Sequence, residues 1–338
     1  MKAIHTFIFG CLLLMSCKRD PSVSENLNTI NSIKWTKVSD EVVNGLYDVK
    51  IADDNTILLL SKDYYLQLNK SFETLFKYTD FGTATVSNNE FLKGFSFFTF
   101  NVYEHDHNNF SLNYYLMEDN RIAERTSMSA KELYGVNRRI LRINSMVSAD
   151  NIHWSYSSIQ TDAKDTIYIY AHFKDAHNIT STKIFAIPGP PLENFLFVNH
   201  NYFILYGQFS DDYIQVDLTN NLISHPPFNP KQIIKSGNKM IMLDNHENLL
   251  SSENGKDYQM VIANSDLFVN MGKLNYPTND SLLVLSSAYQ INLINIKSKG
   301  QQLVNYNGIP EPGYFPCFTY FDKLIILTNK GIYARLIK

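Results

Sequence analysis

Short apolar runs recur along the chain, and a cluster of Asn and Asp residues precedes most of them. The Asp-Asp-Asn triplet at 53–55, for example, comes shortly before an apolar run at 57–60. Asn and Asp side chains cap tight turns and tolerate left-handed backbone conformations. A short apolar run after such a turn predicts a buried strand. We expect equivalent buried strands around Ile57, Phe97, Ile167, Phe203, Met240, Leu282 and Leu324.

The spacing of these runs predicts a repeat. Met240, Leu282 and Leu324 follow one another at intervals of 42 residues. A period of about 40–50 residues with several strands in each unit is typical of β-propeller blades. More alternating runs at 64–68 and 213–218 follow two of the apolar runs, as expected for strands with one wetter face. The sequence therefore predicts an all-β protein, a β-propeller with seven blades or with six. Two stacked sandwiches fit the period less well.

The two ends of the propeller region look complementary. Residues 33–38 predict a strand with no partner before it, and residues 331–338 predict one with no partner after it. In propellers the first strand often completes the last blade and removes a free sheet edge. We therefore expect residues 33–338 to form a single domain closed by its N-terminal strand. Between Phe97 and Ile167 the spacing stretches to 70 residues, which predicts an insertion near 121–150.

The first residues resemble a bacterial lipoprotein signal. Met1-Lys2 is a basic start, and the apolar run at 4–14 has the length of a secretory signal but is too short to span a bilayer. The ending Leu14-Met15-Ser16-Cys17 resembles a lipobox, in which the Cys is acylated and the preceding peptide is removed. The resemblance implies a signal peptide at 1–16, a lipidated tether at 17–32 and anchoring in the cell envelope, at the outer membrane facing the periplasm. The alternative is a plain signal peptide with a chance Cys17.

Composition excludes several classes of protein. The chain carries 30 basic and 33 acidic residues, so no basic surplus indicates a nucleic-acid partner. Its 14 Gly residues argue against a glycine-rich nucleotide-binding fold, and no motif implies a cofactor or a bound metal. Of three Cys residues, Cys11 leaves with the signal and Cys17 takes lipid. Cys317 is then left without a disulfide partner, and its aromatic neighbours predict a small buried side chain.

Residues 251–258, Ser-Ser-Glu-Asn-Gly-Lys-Asp-Tyr, resemble an Asp-box. Ser251, Gly255 and Tyr258 match the motif, while Glu253 stands in place of its Asp. In that family the box forms the turn between the outer two strands of a blade. With weaker similarities at 34–38, 46–49 and 329–333, it suggests a divergent relative of bacterial-neuraminidase-repeat propellers. That group includes sialidases, sortilin-type receptors and photosystem assembly factors. The box is structural, so the resemblance implies a scaffold and no active site.

Two functions remain open. Sialidase-like catalysis needs arginines from separate blades, whereas five of the seven Arg residues lie within 121–142. We therefore predict a non-catalytic scaffold that binds or assembles an envelope protein. Arg138, Arg139 and Arg142 are a candidate contact patch, since guanidinium groups pair well with carboxylates and phosphates; the alternative is a solvated insertion. A carbohydrate-binding or glycan-processing propeller is the alternative function. Aromatic side chains beside carboxylates in the central opening of the propeller would favour a sugar ligand. An apolar, uncharged patch on its rim would favour a protein partner.

Overall fold

The structure is a computed structural model that describes residues 33–337 with internal gaps. The gaps are residues 82–83, 92–95, 104–105, 130–131, 133–139, 149–153, 162–165, 176–177, 189–193, 200, 208–212, 237, 268–271, 277, 279–280 and 312. The predicted signal peptide, Cys17 and the tether therefore lie outside the described residues. No helix among the described residues has the length and apolar character needed to cross a bilayer.

The described strands form seven four-stranded antiparallel sheets, and a short 3₁₀ turn at Asn264–Asp266 lies between two of them. The chain enters through β1 (Thr36–Ser39), which belongs to the last sheet. Blade 1 contains β2 (Leu46–Ile51), β3 (Ile57–Ser61), β4 (Tyr65–Leu68) and β5 (Thr74–Tyr78). Blade 2 contains β6 (Ala84–Phe91), β7 (Ser96–Tyr103), β8 (Asp106–Glu118) and β9 (Arg121–Ser129). Blade 3 contains β10 (Ile140–Ser148), β11 (Trp154–Thr161), β12 (Thr166–Lys174) and β13 (Ile179–Pro188).

The remaining blades repeat this order. Blade 4 contains β14 (Asn194–Asn199), β15 (Tyr202–Tyr206), β16 (Tyr213–Asp217) and β17 (Leu222–Ser224). Blade 5 contains β18 (Pro230–Ser236), β19 (Lys239–Asp244), β20 (Leu249–Ser252) and β21 (Gln259–Ile262). Blade 6 contains β22 (Lys273–Leu274), β23 (Leu282–Ser286), β24 (Gln290–Asn295) and β25 (Gln301–Asn305). Blade 7 contains β26 (Cys317–Tyr320), β27 (Lys323–Thr328) and β28 (Gly331–Leu336), and β1 completes it.

The sheets form a ring. The first strands of successive blades contact one another from β2 to β6, β10, β14, β18 and β22, and β23 of blade 6 contacts β26 of blade 7. A buried cluster joins the two ends of the ring, because Leu59 and Leu66 of blade 1 pack with Ile325 and Ile332 of blade 7. The protein is therefore an all-β β-propeller, as the period of the apolar runs predicted.

The predicted closure of the ring by the N-terminal strand is confirmed. β1 pairs antiparallel with β28, with Thr36 opposite Ala334. The buried Trp35 indole donates a hydrogen bond to the carbonyl of Asn305 in blade 6 at 2.8 Å. Gly331 starts β28 with a φ of +125°, and a Cβ there would lie 2.4 Å from the carbonyl oxygen of Ser39. Only glycine fits this approach of the two strands.

Six of the seven expected apolar runs occupy the second strand of a blade. The exception is Ile167, which lies in β12, the third strand of blade 3, whereas β11 is the second. The expected equivalence was wrong here because β12 also contains buried apolar residues, with no solvent exposure at Ile167 and Ile169. An apolar run does not distinguish the second strand from the third when both are covered by neighbouring blades.

The insertion expected near 121–150 is also wrong where the structure describes this stretch. Residues 121–129 form β9, the outer strand of blade 2, and residues 140–148 form β10, the innermost strand of blade 3. The wide spacing has two causes. The interval from Phe97 to Ile167 runs from a second strand to a third strand. The strands are also longer: β8 has 13 residues and β9 has 9, whereas β4 and β5 of blade 1 have 4 and 5. Blades 2 and 3 are enlarged without leaving the regular four-stranded pattern.

Candidate functional site

A pocket of about 470 Å³ lies where the chain enters the innermost strands, and residues from four blades line it. We call it the axial pocket. Leu46 comes from blade 1, Ile234 from blade 5, Tyr276 from blade 6 and the segment 314–316 from the loop before blade 7. The volume falls within the usual range of ligand pockets. Its walls can therefore receive a few side chains of a partner or a small molecule.

Side-chain amides connect the innermost strands around the axial pocket. The amide of Gln232 in blade 5 donates to the carbonyl of Leu274 in blade 6 and accepts from the Leu274 N–H, both at 2.9 Å. Asn275 donates to Ser286 Oγ at 2.7 Å and accepts from the backbone N–H of Cys317 in blade 7 at 3.0 Å. Neighbouring blades share no backbone ladder here, so these amides satisfy backbone groups at the sheet edges. The pocket walls are thereby held in place.

Tyr276 reaches across the axial pocket. Its hydroxyl donates a hydrogen bond to the carbonyl of Leu46 at 2.6 Å, which links blade 6 to blade 1 although blade 7 lies between them along the ring. Burial raises the pKa of the Tyr276 phenol, and the nearby Asp48 carboxylate raises it further. The phenol therefore stays protonated at neutral pH and keeps donating this bond. The aromatic ring contributes an apolar surface to the pocket.

Two exposed tyrosines lie on the loops beside the axial pocket. Tyr314 lines the pocket with 63% of its surface exposed, and Tyr289 is 77% exposed three residues beyond the lining residue Ser286. The two loops are connected, because the Tyr306 hydroxyl donates to the Ser287 carbonyl at 2.8 Å and the Tyr306 ring contacts Phe315 edge-on. Tyr289 and Tyr314 thus flank one strip of aromatic surface.

The charge of the axial pocket can be compared with the two functions that the sequence left open. Among the lining residues that the structure describes there is one charged side chain, Lys273, and no carboxylate. The other lining side chains are apolar, aromatic or amide-bearing, apart from the hydroxyl of Ser286. An aromatic platform beside carboxylates, the arrangement expected for a sugar site, is not present in this part of the described chain. The apolar and nearly uncharged mouth is the arrangement expected for a protein partner.

A second depression of about 680 Å³ lies between blades 4 and 5, on the face opposite the axial pocket. We call it the lateral cleft. The turns that join first to second strands and third to fourth strands form its walls. Their lining residues are Asn199, Asn201, Asp217, Thr219, Glu253, Asn254 and Lys256. Tyr202 and Met240 are the larger buried side chains that line it. The Asp-box-like segment is therefore one wall of this cleft.

The Asp-box-like residues lie between the outer two strands of blade 5. Ser251 belongs to β20, and Tyr258 immediately precedes β21. Gly255 has a φ of +71°, and a Cβ there would lie 3.1 Å from a methyl group of Val198 in blade 4. Tyr258 packs edge-on against Phe228, with ring centroids 5.2 Å apart.

Glu253, which stands in place of the motif's Asp, does not hold this turn. Its side chain is exposed and pairs with Lys239 at 3.4 Å. The next residue, Asn254, holds the turn. Its Oδ1 accepts hydrogen bonds from the backbone N–H groups of Lys256 at 2.8 Å and Asp257 at 2.9 Å. A short Asn side chain reaches the amides two and three residues ahead, which is the usual geometry of an Asx turn. The turn is retained although the acid has no part in it.

Gln215 is a structural residue that the sequence analysis missed. Its buried amide donates to the carbonyl of Gly255 at 3.1 Å, and the hydroxyls of Tyr202 and Tyr213 approach the same carbonyl at 3.5 Å. Side chains of blade 4 therefore hydrogen-bond to the Asp-box-like turn of blade 5. The repeated Tyr-x-Gln pattern at 65–67 and 213–215 was a signal in the sequence, since both Gln side chains are buried in third strands.

The remaining candidate residues are dispersed. Arg138 and Arg139 lie outside the described residues, as does Cys17. Arg142 lies in β10, where it pairs with Gln160, so it belongs to an innermost strand and not to an insertion. Cys317 is fully buried as predicted, and burial raises the pKa of its thiol well above the usual range. No group of three or more potential metal ligands occurs in the described part of the chain.

The described residues define a β-propeller protein that carries the axial pocket and the lateral cleft on opposite faces. Neither a family model nor a curated protein matches the sequence. Solved structures do match: the structure of YCF48 bound to D1 peptide superposes with a TM-score of 0.58 and 10% identity, covering 91% of this chain and 100% of that one. The β-propeller domain of Cps50 (Swd1) from Myceliophteria thermophila gives 0.61 and 5%, covering 90% and 100%.

An enzyme has a similar fold. A streptogramin B lyase structure matches with a TM-score of 0.57 and 11% identity, covering 90% of this chain and 98% of that one. At such low identities the comparisons show the fold alone. Because the same ring serves peptide binding in one of these proteins and a lyase in another, the fold does not decide between binding and catalysis. That decision depends on the chemistry of the sites.

Proposed function

We propose that this protein is a binding scaffold whose axial pocket and aromatic strip receive a segment of a protein partner. The observation that carries the proposal is the exposure of Tyr289 and Tyr314 beside the axial pocket. Among the described residues that line this pocket there is no carboxylate. Exposed tyrosines supply large contact area at low conformational cost and are enriched at the energetic centres of protein interfaces. The fold shared with YCF48, whose structure contains a bound peptide, is consistent with this use of the ring.

The proposal includes the location of the scaffold. The resemblance of residues 14–17 to a lipobox supports acylation of Cys17 and anchoring in the bacterial cell envelope, at the outer membrane facing the periplasm. Each buried methylene of an acyl chain contributes about 0.8 kcal/mol to membrane binding, so two or more chains hold a protein stably. The partner would then be another envelope protein. Arg138, Arg139 and Arg142 are proposed as a further contact for its acidic groups.

The test is capture of the partner from detergent-solubilised membranes by the full-length protein, followed by identification and direct binding of the purified partner. Replacing Tyr289 and Tyr314 together with Ala should weaken binding at least tenfold. The matched control is Phe321→Ala, because Phe321 is 65% exposed but lies in the β26–β27 turn, on the opposite face. Equal affinity of the double variant and the control would refute the axial site.

The glycan-processing alternative has its own test. Purified protein should show no saturable turnover on a panel of aryl glycosides that includes sialosides. Hydrolysis abolished by a single Asp or Glu substitution would replace the scaffold proposal with a glycosidase.

A further inference from the structure

We infer that the lateral cleft is a second binding site, and that it takes a neutral saccharide. Its volume of about 680 Å³ is large enough for one or a few sugar rings. It lies between blades 4 and 5 on the face opposite the axial pocket, so a ligand there leaves the aromatic strip free. The inference is independent of the proposed protein partner.

The walls of the lateral cleft are preformed. In blade 4, Asp217 Oδ1 accepts from the backbone N–H groups of Thr219 and Asn220 at 3.0 and 3.2 Å, and Asn199 Oδ1 accepts from that of Asn201 at 2.9 Å. In blade 5, Asn254 holds the facing turn in the same way. Loops held by their own side chains lose little conformational entropy when a ligand binds. The cleft is therefore suited to weak polar ligands, which cannot offset a large ordering cost.

Three polar side chains on these walls remain available to a ligand. Asn201 and Thr219 of blade 4 and Asn238 of blade 5 are exposed and line the cleft. Their side chains make no hydrogen bond with the described part of the chain. An amide or a hydroxyl both donates and accepts hydrogen bonds. Sugar hydroxyls do the same, so each of these groups can pair with a sugar hydroxyl in either direction.

The charges of the cleft indicate a neutral ligand. Two lysines, Lys235 and Lys256, line it together with two acids, Asp217 and Glu253. Lys256 pairs with Asp217 at 3.2 Å, and Glu253 pairs with Lys239 at 3.4 Å. The lining therefore has no net charge that would select a phosphate or a carboxylate. A phosphate site would instead require an excess of cations or of convergent backbone N–H groups.

The cleft also offers apolar surface of limited extent. Tyr202 and Met240 contribute to its lining but are only 4% and 1% exposed, and the Lys256 ammonium lies over the Tyr202 ring, 4.6 Å from its centroid. A sugar ring combines C–H faces with a hydroxyl periphery. Polar walls with a small apolar contribution match that combination.

The experiment titrates the full-length protein with cellotetraose, maltotetraose and chitotetraose, in a detergent without a sugar headgroup. Saturation-transfer NMR and calorimetry measure binding. We expect saturable binding of at least one of these probes, weakened at least tenfold when Asn201 and Asn238 are both replaced with Ala. Thr219→Val, which replaces a single hydroxyl with a methyl group, should weaken it less. The control is Asn307→Ala, since Asn307 is exposed outside the cleft.

Three results would overturn the inference. These are no binding of any neutral probe, equal binding by the double variant and the Asn307 control, and tighter binding of the acidic probe tetragalacturonate than of the neutral probes. Unchanged thermal unfolding of the double variant would confirm that a loss of binding comes from the cleft and not from the fold.

Discussion

The side-chain amide of Gln215 in blade 4 donates a hydrogen bond to the backbone carbonyl of Gly255 in blade 5. Comparable bonds join other blades through their third strands. Lys174, only 2% exposed, pairs with Glu124 of blade 2 at 2.6 Å, and Arg335 of blade 7 donates to the Asn305 carbonyl of blade 6 at 3.3 Å. Neighbouring blades pack through apolar faces, and apolar contacts are non-directional. They therefore specify only weakly how one blade is positioned along the face of the next. A buried polar contact specifies that position, because an unpaired buried group would cost free energy.

Replacing Gln215 with Leu should lower the free energy of unfolding by about 1–3 kcal/mol, because the Gly255 carbonyl loses its closest donor while remaining buried. Denaturant unfolding of both proteins measures the change. The matched substitution Gln259→Leu alters an exposed side chain and should change the free energy by less than about 0.5 kcal/mol. Equal losses in the two variants would show that the contact between blades 4 and 5 is not specific.

Ring closure predicts different effects for two N-terminal truncations. Deleting residues 18–30, in the expected tether, should leave the melting temperature unchanged. Deleting residues 18–39 removes Trp35 and β1, so β28 gains an open edge and the core beside Trp35 is exposed. The loss of the buried indole alone corresponds to about 3–5 kcal/mol. Calorimetry of the two truncations makes the comparison, and coincident unfolding transitions would argue against closure by β1.

Stability should decrease in mild acid because of His172. This side chain is fully buried beside the Ser181 hydroxyl at 2.6 Å, and burial lowers its pKa to about 3. The unfolded chain, with an ordinary His pKa near ~6.5, binds more protons between these two values, so the free energy of unfolding falls as the pH falls through this window. Between pH 7 and pH 5 the expected loss from this residue is about 2 kcal/mol.

The comparison of His172→Gln with the native protein isolates this contribution. The variant should be less stable at pH 7 but should show a shallower decline toward pH 5. The control is His225→Gln, which makes the same substitution at an exposed position. A decline of the same steepness in all three proteins would mean that other groups cause the acid sensitivity.

Cys17→Ala tests the anchor. If acylation at Cys17 precedes signal cleavage, the variant should accumulate as an unprocessed precursor without lipid. Metabolic labelling with a palmitate analogue and the mass of the purified chain measure both effects. The control is Cys11→Ala, within the expected signal peptide, which should be processed normally. Normal labelling of the Cys17 variant would refute the lipobox assignment.

The sequence determined the fold class, the strand-rich repeat and the closure of the ring, because these depend on local patterns. Apolar runs, turn residues and unpaired terminal strands are each visible within a few residues. Ile167 was assigned to the wrong strand of its blade, because third strands also contain buried apolar residues. The insertion at 121–150 was predicted because strand lengths differ between blades, which the apolar pattern does not show.

Only the tertiary structure showed which residues come together in the two sites. The axial pocket brings together Leu46, Ile234, Tyr276 and Tyr314, which belong to four blades and are separated by up to 268 positions. The lateral cleft and the contact of Gln215 with Gly255 likewise depend on how blades 4 and 5 face each other. These contacts arise from the geometry of the ring, and no local pattern of polar and apolar residues encodes the distance between two blades.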